Sequence, residues 1–168
     1  ILEAIGKYPF FNCDKLKEIM IPKCVEGKMV LEFIQYLPIP SNLEKVTFAE
    51  GLNLEIIVDN AFRHRYKLKE IIIPASVKII KRYAFSNCKK LENVTFAEGS
   101  KLEIIGDYAF IKCFELKEIT IPASVKSIGE YAFAYCRNLE RVIFSGESEL
   151  EEIGKGAFNE CKALKEIN

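Results

Sequence analysis

The side chains of this 168-residue chain that could do chemistry are six cysteines, one histidine and 24 acidic residues. Thiolates and imidazoles serve as nucleophiles, bases and metal ligands, and paired carboxylates serve acid–base chemistry. All of these need convergence: a nucleophile beside its base, or ligands approaching one ion from several directions. The cysteines do not converge. Cys13, Cys88, Cys113, Cys136 and Cys161 each stand three residues after an aromatic residue (Phe10, Phe85, Phe110, Phe133, Phe158), and Cys24 alone is out of register. There is no C-x-x-C pair to start a zinc site. Stacked copies would come within disulfide range, but parallel Cβ vectors disfavour the dihedral. The reading is buried free thiols, with disulfides as the alternative. His64 lies between Arg63 and Arg65, a cluster that could hold an anion or a partner but fits a solvated turn better. H-E-x-x-H, P-loop, serine-elbow and G-x-G-x-x-G motifs do not occur. The expectation is no catalytic residue, no cofactor and no metal, hence no enzyme.

What positions these residues is a repeat. Leu16, Leu43, Leu68, Leu91, Leu116, Leu139 and Leu164 each open L-x-x-[IV]-x-[IF], at spacings of 27, 25, 23, 25, 23 and 25 residues, the last copy stopping at Asn168. A period in the twenties with a leucine-led strand predicts a solenoid whose units contact only their neighbours. Residues 68–113 and 116–161 match without gaps at 27 of 46 positions. In Leu116–Cys136, Leu116, Ile119 and Ile121 face one way and Glu118 and Thr120 the other, the alternation of a half-buried strand. Pro122 ends that strand, Val125 and Ile128 re-enter the core, and Gly129 marks a tight bend. Tyr131-Ala132-Phe133 with Cys136 has the spacing of one helical turn. Copies of 25 residues replace the Ile-Pro-Ala-Ser turn by Phe-Ala-Glu-Gly-Ser.

Stacking puts like on like. Phe10, Phe62, Phe85, Phe110, Phe133 and Phe158 form a predicted aromatic spine. After each opening leucine the charges run Lys17, Glu44, Lys69, Glu92, Lys117, Glu140, Lys165, and the next column runs Glu18, Lys45, Glu70, Asn93, Glu118, Arg141, Glu166. Opposite charges pair across in-register strands about 4.8 Å apart, so the alternation predicts a parallel sheet along one face. The 24 basic and 24 acidic residues balance, which argues against nucleic acid as partner. No apolar run approaches the roughly 18–20 residues that span a bilayer, and no signal peptide is visible. Both ends fall inside repeats, so residues 1–168 read as one domain of six to seven repeats, degenerate around 22–65, cut from a longer array. Such uncapped ends would allow end-to-end self-association.

The combination I-P-x-S-V-x-x-I-[GK]-x-Y-A-F-x-x-C-x-x-L-x-x-[IV] resembles the BspA-like leucine-rich repeat, clearly from Leu54 onward and loosely before it. Tyr36-Leu37 replaces Ala-Phe in one copy, Pro38 and Pro40 forbid a regular helix there, and Arg65 takes the cysteine slot in the next. The resemblance implies a right-handed coil with a concave parallel sheet and short turns or one-turn helices on the convex side. It also implies a cell-surface or secreted location and adhesion to a host or extracellular protein. The candidate contact face is the outward strand row: Glu18, Met20, Lys45, Thr47, Glu70, Ile72, Asn93, Thr95, Glu118, Thr120, Arg141 and Ile143. A passive stalk projecting another domain is the alternative. Asn93-Val94-Thr95 is also a glycosylation sequon, for which chance is the simpler explanation.

Overall fold

The computed structural model describes residues 15–21 and 42–168. The expectations for Phe10, Cys13, Cys24, Tyr36, Leu37, Pro38 and Pro40 lie outside them. Twelve parallel strands are described. The four-residue strands β1 (Glu18–Ile21), β2 (Lys45–Phe48), β4 (Glu70–Ile73), β6 (Asn93–Phe96), β8 (Glu118–Ile121) and β10 (Arg141–Phe144), with β12 (Glu166–Ile167), are the leucine-led segments. The two-residue strands β3 (Ile56–Ile57), β5 (Ile79–Ile80), β7 (Ile104–Ile105), β9 (Ser127–Ile128) and β11 (Glu152–Ile153) line a second side. They form one continuous ladder from β3 to β11. Each coil among the described residues therefore crosses the same two faces in the same order, a parallel β-solenoid.

Sequence columns become spatial columns. Leu68, Leu91, Leu116 and Leu139 are fully buried, as are Phe62, Phe85, Phe110 and Phe133. Successive rings from Phe62 to Phe158 lie 5.1, 5.0, 5.2 and 5.4 Å apart, all within 8° of parallel. Offset stacking at that separation adds roughly 0.5–1.5 kcal/mol per pair beyond burial. Cys88, Cys113, Cys136 and Cys161 are free and buried. Each thiol donates to a carbonyl one coil earlier, at Phe62, Phe85, Phe110 and Phe133, over 3.1–3.4 Å. The column is thus both packing and a hydrogen-bond ladder.

On the third side the short turns expected there are present and the one-turn helices are not: no described residue is helical. Alternate N–H groups turn in opposite directions. Ala84, Ser86 and Cys88 donate back to Lys81, Tyr83 and Phe85, while Tyr83, Phe85 and Asn87 donate forward to Asp107, Ala109 and Ile111 of the next coil. A helix would consume all of these donors internally. The zigzag requires left-handed backbone at Tyr83 (φ 56°), Tyr108 (φ 55°) and Tyr131 (φ 52°), a conformation costing about 1–2 kcal/mol per non-glycine residue. Stacking of those tyrosines at 4.9 and 5.4 Å offsets part of that cost.

Where the chain re-enters the turn side, coils approach closely. A Cβ at Gly129 would lie 2.5 Å from the Asp107 backbone nitrogen. Gly129→Ala should therefore destabilise the fold by about 1–3 kcal/mol, the range for overpacking against atoms that cannot yield. Thermal unfolding measures it, and a change below 0.5 kcal/mol on the same scale would show that the coils slide apart freely.

The sheet of long strands is not continuous. One ladder runs β1-β2-β4-β6 and another β8-β10-β12, with no hydrogen-bonded pairing between β6 and β8. Proline weakens the ladder in front of β4 and β8 alike. Ala49, Ala97 and Ser145, just past their strands, donate to the carbonyls of Ile21, Ile73 and Ile121 and close the ladder there. The equivalent residues Pro74 and Pro122 have no N–H. Accordingly β2 and β4 pair over two residues, whereas β1 with β2, β4 with β6 and β8 with β10 pair over four. Coils therefore associate in pairs, with a weaker seam before every proline-ended strand.

Candidate functional site

The strand face is displayed as its alternation requires. In the first ladder Glu18 opposes Lys45, Lys45 opposes Glu70 and Glu70 opposes Asn93; Met20 opposes Thr47 and Ile72 opposes Thr95. In the second, Glu118 opposes Arg141 and Thr120 opposes Ile143. Met20 and Ile72 are 65% and 61% exposed, large apolar side chains presented to solvent. Glu18, Glu70, Asn93, Thr95, Thr120 and Arg141 are exposed as well, while Lys45, Thr47, Glu118 and Ile143 are half-buried. All twelve candidates lie on outward strand positions, and the seam divides them eight to four.

The charge columns close into ion pairs where the ladder is intact. Glu44 accepts from Lys17 at 3.3 Å and from Lys69 at 2.9 Å. Those two ammonium groups, Lys69 first, hold the Glu44 carboxyl below its ordinary range, and Glu44 in turn raises Lys69. Lys45 meets Glu70 at 3.1 Å, Arg141 pairs with Glu118, and Lys165 meets Glu140 at 2.8 Å, lowering that carboxyl. Glu92 and Lys117 flank the seam and make no ion pair among the described residues. These are exposed pairs, each worth about 0–1 kcal/mol. Their effect is on register: slipping one coil would bring like charges together.

The arginine–histidine turn does not assemble a site. Arg63 donates to Asn60 Oδ1 at 3.1 Å and lies 5.0 Å over the Tyr83 ring. His64 Nδ1 is 3.1 Å from the Tyr66 hydroxyl. Burial first, then Arg63, Arg65 and Lys89, lower the imidazole pKa, so the ring stays neutral at pH 7. Arg65, occupying the cysteine slot, is half-buried, and burial lowers its pKa as well. Among the described residues no three His, Cys, Asp or Glu side chains gather as a metal site, and no helix is long and apolar enough to cross a membrane.

Sequence reasoning missed two features. Ser76 and Ser124 pin the short turns, each hydroxyl reaching two carbonyls of the preceding coil (Leu52 and Leu54; Ser100 and Leu102) at 2.8–3.1 Å. Clefts open beside those turns, of about 500 Å³ at Pro74 and about 740 Å³ at Pro122. The alternation of 23- and 25-residue copies was the signal that could have found them.

A parallel β-solenoid with leucine-opened strands, a phenylalanine spine and a solvent-facing strand row defines a leucine-rich repeat protein. The chain belongs to the BspA-type leucine-rich repeat family, whose profile matches six copies over residues 1–51 and 55–168. The structure is similar to that of a leucine-rich repeat protein from Bacteroides ovatus, at 26% identity and a TM-score of 0.60, covering 95% of this chain and 51% of that one. It is also similar to the pneumococcal vaccine antigen PcpA, at 26% identity and a TM-score of 0.54, covering 75% and 45%. The T. pallidum leucine-rich repeat protein TpLRR shares the fold at 24% identity and a TM-score of 0.58, covering 90% and 74%. The chain thus spans about half the length of the first two. Among curated proteins none matches it.

Proposed function

We propose that this chain is a non-catalytic module of a cell-surface or secreted protein that binds a protein partner through its long-strand face in adhesion. The observation that carries the reading is the exposure of Met20 and Ile72, 65% and 61%, among fixed ion pairs on that face. Exposed apolar side chains bordered by ordered charge match the composition of protein interfaces, and solenoids use such extended faces for protein contacts. Family membership and the likeness to a vaccine antigen support a surface location.

The immobilised chain should retain a specific protein from host or extracellular extract. Met20→Arg combined with Arg141→Glu should weaken that binding at least tenfold, or about 1.4 kcal/mol, with circular dichroism unchanged. Undiminished binding by the folded variant would remove this face from the account and leave the module a passive spacer.

A further inference from the structure

The clefts recur with the coil pair. Each lies where a long copy precedes a short one. Phe48, Glu50, Gly51, Pro74 and Ser76 line the first, and their counterparts 48 residues on, Phe96, Glu98, Gly99, Pro122 and Ser124, line the second. The serine hydrogen bonds hold the short turn in place, and the following long copy closes over it: Lys101 N–H donates to Ala75 at 3.0 Å and Glu149 N–H to Ala123 at 2.8 Å. The prolines that remove a donor from the ladder thus also line each cleft.

The two clefts differ in chemistry at three matched positions. Leu52, Ile72 and Lys45 of the first become Ser100, Thr120 and Asn93 in the second. In the first, Lys45 is neutralised by Glu70, and Glu50, the counterpart of Glu98, is among the described residues the one unpaired charge in an otherwise largely carbon-lined recess. The second is lined by no Lys or Arg and adds Glu149 from the next coil. Glu98 and Glu149 make no ion pair among the described residues, whereas Glu118 is occupied by Arg141. A cation on a ligand would complete that cleft, and an apolar group would fill the first.

Two strand spacings separate the clefts, about 9.6 Å. An extended β-strand places same-face side chains at about 6.8 or 13.6 Å, so it cannot fill both. A polyproline II helix repeats every three residues with a rise of about 3.1 Å each, bringing positions i and i+3 to one face about 9.3 Å apart.

We propose that the paired clefts bind one segment of a partner protein in polyproline II conformation. An apolar side chain enters the Pro74 cleft, and a lysine or arginine three residues away enters the Pro122 cleft. The inference deepens the protein-binding reading and rests on it.

Fluorescence polarisation with labelled proline-rich peptides tests this. Leucine and arginine are placed three apart in both orders, with two-apart and four-apart peptides as comparisons. At least one three-apart peptide should bind tenfold more tightly than the comparisons, and Glu98→Lys with Glu149→Lys should remove that advantage. Both substitutions are at exposed or wall positions, and circular dichroism confirms the fold. Equal binding at all spacings, no saturable binding, or indifference to the double variant overturns the proposal. The two readings fail separately. Met20 and Arg141 line neither cleft, so a partner lost on their substitution yet retained by the Glu98/Glu149 variant keeps the face and discards the clefts.

Discussion

Phe110→Ala should cost about 3–5 kcal/mol, the range for removing a buried phenylalanine without collapse of the site. Its ring is fully buried between Phe85 at 5.0 Å and Phe133 at 5.2 Å. Collapse is obstructed on every side. Phe110 N–H donates to Ala132 at 2.7 Å and its carbonyl accepts from the Cys136 thiol, so the backbone is tied to the next coil. Because solenoid stability is a sum of units and nearest-neighbour interfaces, one truncation damages two interfaces at once. Phe158 is half-buried and stacks on Phe133 at 5.4 Å, so Phe158→Ala should cost clearly less. Urea unfolding of both variants gives the comparison. Equal losses, or a Phe110 effect below about 1 kcal/mol on that scale, would mean the spine does not hold the coils together.

Alkaline pH should unfold the protein through its thiols. Burial pushes Cys88 and Cys161 up to about 12, and burial likewise raises Cys113. In the unfolded chain the same groups ionise near 9.0. The thiols contribute their full stability below pH 9. Between about 9 and 12 the unfolded state sheds protons that the native state keeps, so stability falls by roughly 1.4 kcal/mol per pH unit for each such group. The S–H donors to Phe62 and Phe133, both at 3.1 Å, would also be lost on ionisation. Urea midpoints at pH 8, 9.5 and 10.5 should drop progressively, and Cys88→Ala with Cys161→Ala should flatten the slope although both substitutions lower stability at pH 8. The same burial should slow thiol alkylation at pH 8 by about a thousandfold relative to unfolded chain, since the thiolate is the nucleophile. Labelling at equal rates in both states would sink the account.

Much of this was legible beforehand for a geometric reason. In a solenoid, residues one period apart are spatial neighbours, so a column of identical residues in the sequence is a column in space. The phenylalanine spine, the burial of Cys88 to Cys161, and the opposed signs at Lys45 and Glu70 or Glu118 and Arg141 all follow from that offset. The candidate face was legible too, because alternation along Glu118–Ile121 separates outward from inward positions.

The turn side was not. Tyr131, Phe133 and Cys136 have helical spacing, but that spacing suits a string of tight turns equally well. The choice rests with donors such as Phe133 N–H, which reaches Ala157 at 2.7 Å in the next coil. Tyrosines in left-handed backbone run against local preference and persist because neighbouring coils hold them.

The amino-acid sequence by itself determined the period, the strand alternation, the identity of the core columns and the register that charge enforces, since these depend only on spacing and side-chain type. Tertiary structure alone decided where the ladder breaks and what opens there. Pro74 and Pro122 are visible as residues that lack a donor, yet β2 still pairs with β4 while β6 and β8 separate. That outcome, and the clefts beside it, depend on how long and short coils settle against each other, a sum of contacts that no single repeat contains.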